Sequence, residues 1–89
     1  MGQSDAAGVV DSPMAKYFFH IRRGDAVFVD PRGFNASTLD YAVRRAAKYV
    51  RETMRDEPDI PSSSQCIEIV DAQGTVIRMI AFEAVPQAA

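Results

Sequence analysis

Apolar and polar residues alternate in two segments near the start of the chain, and this alternation predicts a β-hairpin. Residues 16–22 and 26–30 are rich in aromatic and β-branched side chains, as strands are. Gly24 lies between them, where a type I turn with a bulge needs a left-handed residue. That turn places Phe19 opposite Val27. One face then carries Tyr17, Phe19, Ile21, Val27 and Val29, and the other carries Phe18, His20, Ala26 and Phe28. A two-residue turn would shift this register.

One amphipathic helix is predicted over residues 37–56. Apolar residues recur there at steps of three and four, as on one helix face: Leu39, Val43, Ala46, Val50 and Met54. Ser37 or Thr38 can cap the helix. Residues 30–33 (DPRG) predict a type I turn before it, and the prolines and serines of residues 57–64 predict a mobile loop after it.

A second hairpin is predicted from residues 66–71 and 75–82, with Gly74 at the left-handed position of another bulged turn. In that register Glu68 lies directly opposite Arg78, so opposite charges pair. The same register pairs apolar residues: Ile69 with Ile77, and Ile67 with Met79.

The order strand, strand, helix, strand, strand predicts an α+β fold. We expect a four-stranded, mainly antiparallel sheet with one helix packed on one face. Residues 1–13 are small, polar and aperiodic and predict a disordered tail, residues 14–85 a single compact domain, and residues 86–89 a frayed end. Met14 could be an alternative translation start.

Length and composition exclude several classes of protein. A chain of 89 residues with 47% hydrophobic residues is one small domain, too short for a complete Rossmann fold. Its one cysteine, Cys66, allows no internal disulfide, and with one histidine it cannot build a zinc site of Cys and His alone. There is no run of about 18 apolar residues and no secretory signal pattern at the start. We therefore expect a cytoplasmic protein with no membrane contact.

Charge is divided unevenly along the chain, although the net charge is only −2. Residues 14–56 hold nine Lys or Arg and five acidic residues, whereas residues 57–89 hold one Arg and five acidic residues. Such a chain can present faces of opposite sign, which favours a charged partner or contacts between copies. Ordinary surface solvation is the alternative.

A series of short motifs runs along the predicted compact part. The opening strand has the form Met-x-x-Tyr-Phe-Phe-His from Met14 to His20, and the last hairpin has Val-Asp-x-x-Gly at residues 70–74 with Phe82 beyond it. In these motifs the chain resembles a family of short, stand-alone bacterial proteins, common in proteobacteria, that is catalogued as a domain of unknown function. The likeness covers about residues 14–83 and implies the fold without implying an activity. The chain differs in its extra N-terminal residues and in Ser64-Gln65, where some relatives carry a tryptophan.

The only side chain with an ordinary pKa near neutrality is that of His20, on the predicted outer face with Phe18 and Phe28. If the hairpins are neighbours, His20, Glu68 and Arg78 form a polar cluster ringed by aromatic rings. That cluster would suit an anionic or planar ligand, or a minor enzyme site. The alternative is a histidine packed at a sheet or dimer interface. No sequence feature predicts a catalytic residue, a cofactor or a metal site, and Cys66 lacks the surroundings that activate a thiol.

A basic ridge follows one face of the predicted helix. Its members stand at steps of four, three and four: Arg44, Lys48, Arg51 and Arg55. Such a ridge could contact the phosphates of a nucleic acid. Glu52 and Asp56 lie beside it, so a solvated helix face is the alternative.

The outer sheet face predicts a further layer. Its predicted members are apolar: Phe18, Phe28, Val70, Val76, Ile80 and Phe82. Because one helix covers only one face, we expect a second copy or a partner protein on the other, or else the chain's own tail or loop. The leading hypothesis is thus a small non-catalytic interaction or regulatory module that forms a homodimer. A nucleic-acid-associated regulator and a small-ligand binder are the alternatives.

Overall fold

The computed structural model describes residues 14–86 as one antiparallel sheet with one long helix. The strands are β1 (Ala15–Arg23), β2 (Ala26–Phe28), β3 (Phe34–Ala36), β4 (Gln65–Asp71) and β5 (Val76–Ala81). The helix, α1, spans Leu39–Asp56, and short 3-10 turns cover Ser62–Ser64 and Phe82–Ala84. The predicted tail at residues 1–13, and residues 87–89 of the predicted frayed end, lie outside the described residues.

The α+β class is confirmed, but the sheet has five strands and the prediction of four is wrong. The strands lie in the order β2-β1-β4-β5, and β3 pairs with β1 along the same edge as β2. The extra strand arises at Gly33, whose φ of 67° turns the chain back toward β1. Residues 34–36 then pair with residues 15–17 before the helix begins.

The first hairpin has a tighter turn than predicted. Only Gly24 and Asp25 separate β1 from β2, and Ile21 therefore lies opposite Phe28. Gly24 has a φ of 56°, which suits the first position of a two-residue hairpin turn. Because side chains alternate between faces, Phe28 lies on the face that α1 covers. Val27 lies on the opposite face, called here the outer face.

The second hairpin contains a bulge that the sequence did not predict. Glu68 lies opposite Met79, and Ile69 lies opposite Arg78. The register shifts between residues 69 and 70, which leaves Ile77 as one extra residue in β5. The predicted pairing of Glu68 with Arg78 is therefore wrong. The bulge has a packing consequence, since Ile77 and Ile80 both contact the core despite their odd spacing.

The helix is capped by Thr38, whose Oγ1 accepts a hydrogen bond from the N–H of Tyr41 at 3.0 Å. Ala42, Ala46 and Val50 are fully buried. Their small side chains allow α1 to lie close to the sheet, and its contacts are mainly with β4 and β3. The helix therefore leaves the β2 side of the sheet uncovered.

The core lies between α1 and the sheet and includes the end of the described chain. It contains Phe19, Ile21, Ala46, Val50, Ile67, Ile69, Phe82 and Val85. Phe82 is fully buried because the 3-10 turn after β5 directs its ring into this cluster. The segment predicted as a mobile loop contains the other 3-10 turn, in which the N–H of Ser64 bonds to the carbonyl of Pro61 at 3.2 Å.

Candidate functional site

The outer face brings together two of the three residues in the predicted polar cluster. His20 lies opposite Glu68 across the β1–β4 pair. The ring of Phe18 is beside that of His20, with centroids 6.4 Å apart. Arg78 is not part of this cluster, because the bulge in β5 places it opposite Ile69.

Glu68 is held by Arg22 of the neighbouring strand. The Nε–H of Arg22 donates a hydrogen bond to Oε2 of Glu68, and the two form an ion pair. This hydrogen bond, and then the charge of the carboxylate, raise the pKa of Arg22 above its ordinary value. The Glu68 side chain is only 8% exposed, so the ion pair offsets a desolvation cost. The pair occupies the carboxylate that the sequence analysis offered to a ligand.

His20 is likewise engaged within the chain. The backbone N–H of Asp30 donates to Nδ1 of His20 at 3.1 Å. The Asp30 carboxylate accepts from the N–H of Phe19 at 3.1 Å and from those of Arg32 and Gly33 at 3.0 Å each. Partial burial raises the pKa of Asp30, but the three backbone hydrogen bonds outweigh it, and the net pKa is lowered. His20 and Asp30 therefore fix the connection between β2 and β3 against β1.

Three residues predicted on the outer face lie elsewhere. Phe28 faces the α1 side, Ile80 packs against the core, and Phe82 is inside it. The prediction of a broad apolar outer face is wrong in these positions, because the predicted registers differ from the observed ones by three residues in the first hairpin and by one in the second. The exposed apolar side chains on that face are Val27, Val76 and Met79.

The structure shows a groove on the other side of the sheet that the sequence analysis did not find. It lies between α1 and the β2 edge and has a volume of about 510 Å³, and a second hollow of about 330 Å³ adjoins it. The two share Ile21, Phe28 and Tyr49. Other side chains that line the larger part are Phe19, Val29, Phe34, Arg45, Lys48 and Glu52.

Aromatic rings and a guanidinium form a continuous series along this groove. The Phe19 ring stacks on Tyr49, with centroids 6.3 Å apart and planes at 20°. The ring centroids of Phe19 and Phe34 are 4.5 Å apart, and the guanidinium carbon of Arg45 lies 5.3 Å from the Phe34 centroid. A signal was present in the helix, since Arg45, Lys48, Tyr49 and Glu52 share one side at steps of three and four. This signal did not predict a groove by itself, because the position of Phe28 depends on the length of the turn between β1 and β2.

The predicted basic ridge lies on α1. Arg44, Lys48 and Arg55 are exposed, and Arg51 is partly buried. None of the four forms an ion pair with an acidic residue of the described chain. Lys48 also lines the groove. The nucleic-acid hypothesis stays a prediction.

Clusters of metal ligands and membrane-spanning helices are both absent from residues 14–86. No three His, Cys, Asp or Glu side chains in this range gather in a way that could hold a metal ion. No helix in the same range has both the length and the apolar character needed to cross a membrane.

Comparison with known proteins identifies a family. Neither the curated proteins nor the solved structures give a significant match. A family model described as a domain of unknown function, DUF6894, matches residues 16–83, and this range contains the whole groove and every strand pairing except that of Ala15 with Ala36. Since the match covers most of the 89 residues, the chain belongs to the DUF6894 family.

Proposed function

We propose that the protein is a non-catalytic interaction module that self-associates through the free edge of β5. This keeps the hypothesis of a dimer but moves its centre from the whole outer face to one edge of it. The observation that carries the proposal is the exposure of apolar side chains on a strand that has one unpaired edge. We also propose a cytoplasmic location, which the single cysteine favours because small secreted domains usually carry disulfides.

The exposed apolar side chains support this placement. Met79 is 56% exposed and Val76 is 45% exposed, and both belong to β5. Both also lie on the outer face, since Met79 is opposite Glu68 and Val76 is opposite Val70. Pairing of this edge with another strand would cover part of the exposed Met79 side chain.

The backbone of β5 supports it as well. β5 pairs with β4 on one side, and on the other side no strand of residues 14–86 pairs with it. An edge of this kind presents unpaired N–H and C=O groups to another strand. The bulge at Ile77 confines regular pairing to residues 78–81, where Arg78 is the one charged residue.

A second copy of the chain fits this edge. If two copies of β5 pair antiparallel about a two-fold axis at Met79, the two Met79 side chains meet. Arg78 then lies opposite Ile80 of the other copy, so no like charges face each other. A domain of this size also gains stability from added burial, which favours association.

The test is the mass in solution. Sedimentation or light scattering at about 100 μM detects a dimer whose Kd is in the micromolar range. We expect a dimer for the native chain and a monomer for Met79→Lys, because two added charges would meet at the axis. The control is Val29→Lys, at a position away from β5 that is somewhat more exposed than Met79, and this variant should stay dimeric. A native chain that is monomeric, or a Met79→Lys variant that is still a dimer, would overturn the proposal.

A further inference from the structure

We infer that the groove between α1 and β2 is a binding site for a small aromatic carboxylate. The inference goes beyond self-association, since the groove lies on the other face of the sheet and next to the opposite edge strand. Its volume of about 510 Å³ is within the range of small-molecule sites.

The floor and sides of the groove favour a flat ring. Phe19 and Phe34 lie against each other below, and Tyr49 stacks on Phe19 from the helix. Phe28 is 52% exposed although it faces the α1 side, because the helix does not reach it. An aromatic ligand that lies between Phe28 and Tyr49 would bury apolar surface that the chain itself leaves in water.

Two cationic side chains of the groove favour an anionic group on the ligand. Arg45 and Lys48 line it, and neither forms an ion pair with any acid in residues 14–86. Two carboxylates also line it, but that of Asp30 already accepts three backbone N–H bonds. Asp30 and Glu52 balance the two positive charges formally, but neither carboxylate forms an ion pair with Arg45 or Lys48. Two cationic groups without a carboxylate partner in residues 14–86 thus lie beside the aromatic series, so the ligand should carry a carboxylate attached to its ring.

The wall opposite the helix is already fixed. The turn from Asp30 to Gly33 is tied to β1 by the Asp30 carboxylate and the N–H that donates to His20. Gly33 lies so close to β1 that a Cβ there would be 2.7 Å from the carbonyl oxygen of Tyr17. A wall held in this way loses little conformational freedom on binding, which favours a small ligand.

The experiment uses indole acetate, naphthoate and phenylacetate as probes. The chain contains no tryptophan, so the fluorescence of the indole probe reports on the ligand with little protein background. Amide chemical shifts of isotope-labelled protein, followed at ligand concentrations up to about 5 mM, detect a Kd near 1 mM. We expect indole acetate to change the amide chemical shifts of groove residues. Indole acetamide lacks the negative charge and should bind about tenfold more weakly than indole acetate.

Variants separate the groove from the rest of the helix. The double variant Arg45→Gln with Lys48→Gln should weaken the binding of indole acetate by about tenfold or more, since each substitution removes a charged partner of the carboxylate. Arg44→Gln with Arg55→Gln removes the same charge from α1 outside the groove and should leave affinity within about twofold. Phe28→Ala, at an exposed position, should weaken all three probes. No groove shifts with any probe, equal binding of the amide, or equal losses in the two double variants would overturn the inference.

Discussion

Glu68 pairs with Arg22 across the β1–β4 interface, and not with Arg78 on the strand that follows it in sequence. The carboxylate is almost buried, whereas Arg22 is about half exposed. A long side chain on β1 thus reaches over the outer face and neutralises a charge that the fold has taken out of water.

Removal of Arg22 should destabilise the protein because it leaves the Glu68 carboxylate buried and unpaired. We expect Arg22→Met to lower the urea midpoint, and Arg22→Met with Glu68→Met to recover part of the loss. Arg78→Met is the control and should change the free energy of unfolding by no more than about 0.5 kcal/mol. A larger effect of Arg78→Met than of Arg22→Met would contradict the observed pairing.

Asp30→Asn should destabilise the protein at neutral pH. The amide keeps one oxygen for Arg32 and Gly33 but turns an N–H donor toward the N–H of Phe19. We expect a loss of about 1 kcal/mol, since the carboxylate is partly solvated.

The effect of Asp30→Asn should depend on pH in one direction. The pKa of Asp30 is lower in the folded chain than its ordinary value, so the carboxylate stabilises the fold above the unfolded pKa of about 4. This contribution is lost as pH falls through the lower, folded pKa. Urea titrations at several pH values should show a constant difference from pH 7 to about pH 5 that shrinks below about pH 4. A difference that grows on acidification would contradict this account.

Gly33→Ala should be far more damaging than Gly74→Ala. Both glycines have positive φ, 67° and 88°, so an alanine strains the backbone at either place. At Gly33 the new Cβ would also meet Tyr17 O at 2.7 Å and the Phe18 ring at 2.8 Å, whereas no atom lies within 4 Å at Gly74. We expect Gly33→Ala to lower the free energy of unfolding by about 2–4 kcal/mol and Gly74→Ala to lower it by about 1 kcal/mol. Thermal unfolding of the two variants, measured side by side, would show whether close contact adds to strain.

Thr38→Ala should cost about 1 kcal/mol of stability because it removes the acceptor for the N–H of Tyr41. Ser37→Ala is the matched control, since Ser37 is exposed and precedes the N-cap. Denaturation of both variants tests which residue caps the helix. A larger loss for Ser37→Ala would show that the cap lies one residue earlier, and equal losses would contradict the assignment of the cap to Thr38 alone.

The helix was predictable because its signals are local. The apolar stripe and the capping residues place α1 within two residues of its observed start at Leu39 and at its observed end, Asp56. The choice between Ser37 and Thr38 needed the backbone, since either side chain can accept the bond. The strands were predictable for the same reason, except for β3. Three residues after Gly33 carry too little pattern to indicate a strand without knowledge of their partner, β1.

The candidate sites were less predictable because they depend on register. The placement of Phe28 required the two-residue turn at Gly24, and the partner of Glu68 required the bulge at Ile77. A change of one residue moves a side chain to the other face of a sheet. The groove also required the position of α1, which covers β4 and β3 and leaves Phe28 exposed.

The sequence alone determined the α+β class, the one long helix, the two hairpins and the turn glycines, because periodicity and turn chemistry act between near neighbours. Tertiary structure decided which strands pair, that Arg22 neutralises Glu68, and that Arg45 and Lys48 lie beside an aromatic groove. These arrangements join residues far apart in the chain. Their free energy comes from packing and charge in three dimensions, and neither is recorded in the local order of the residues.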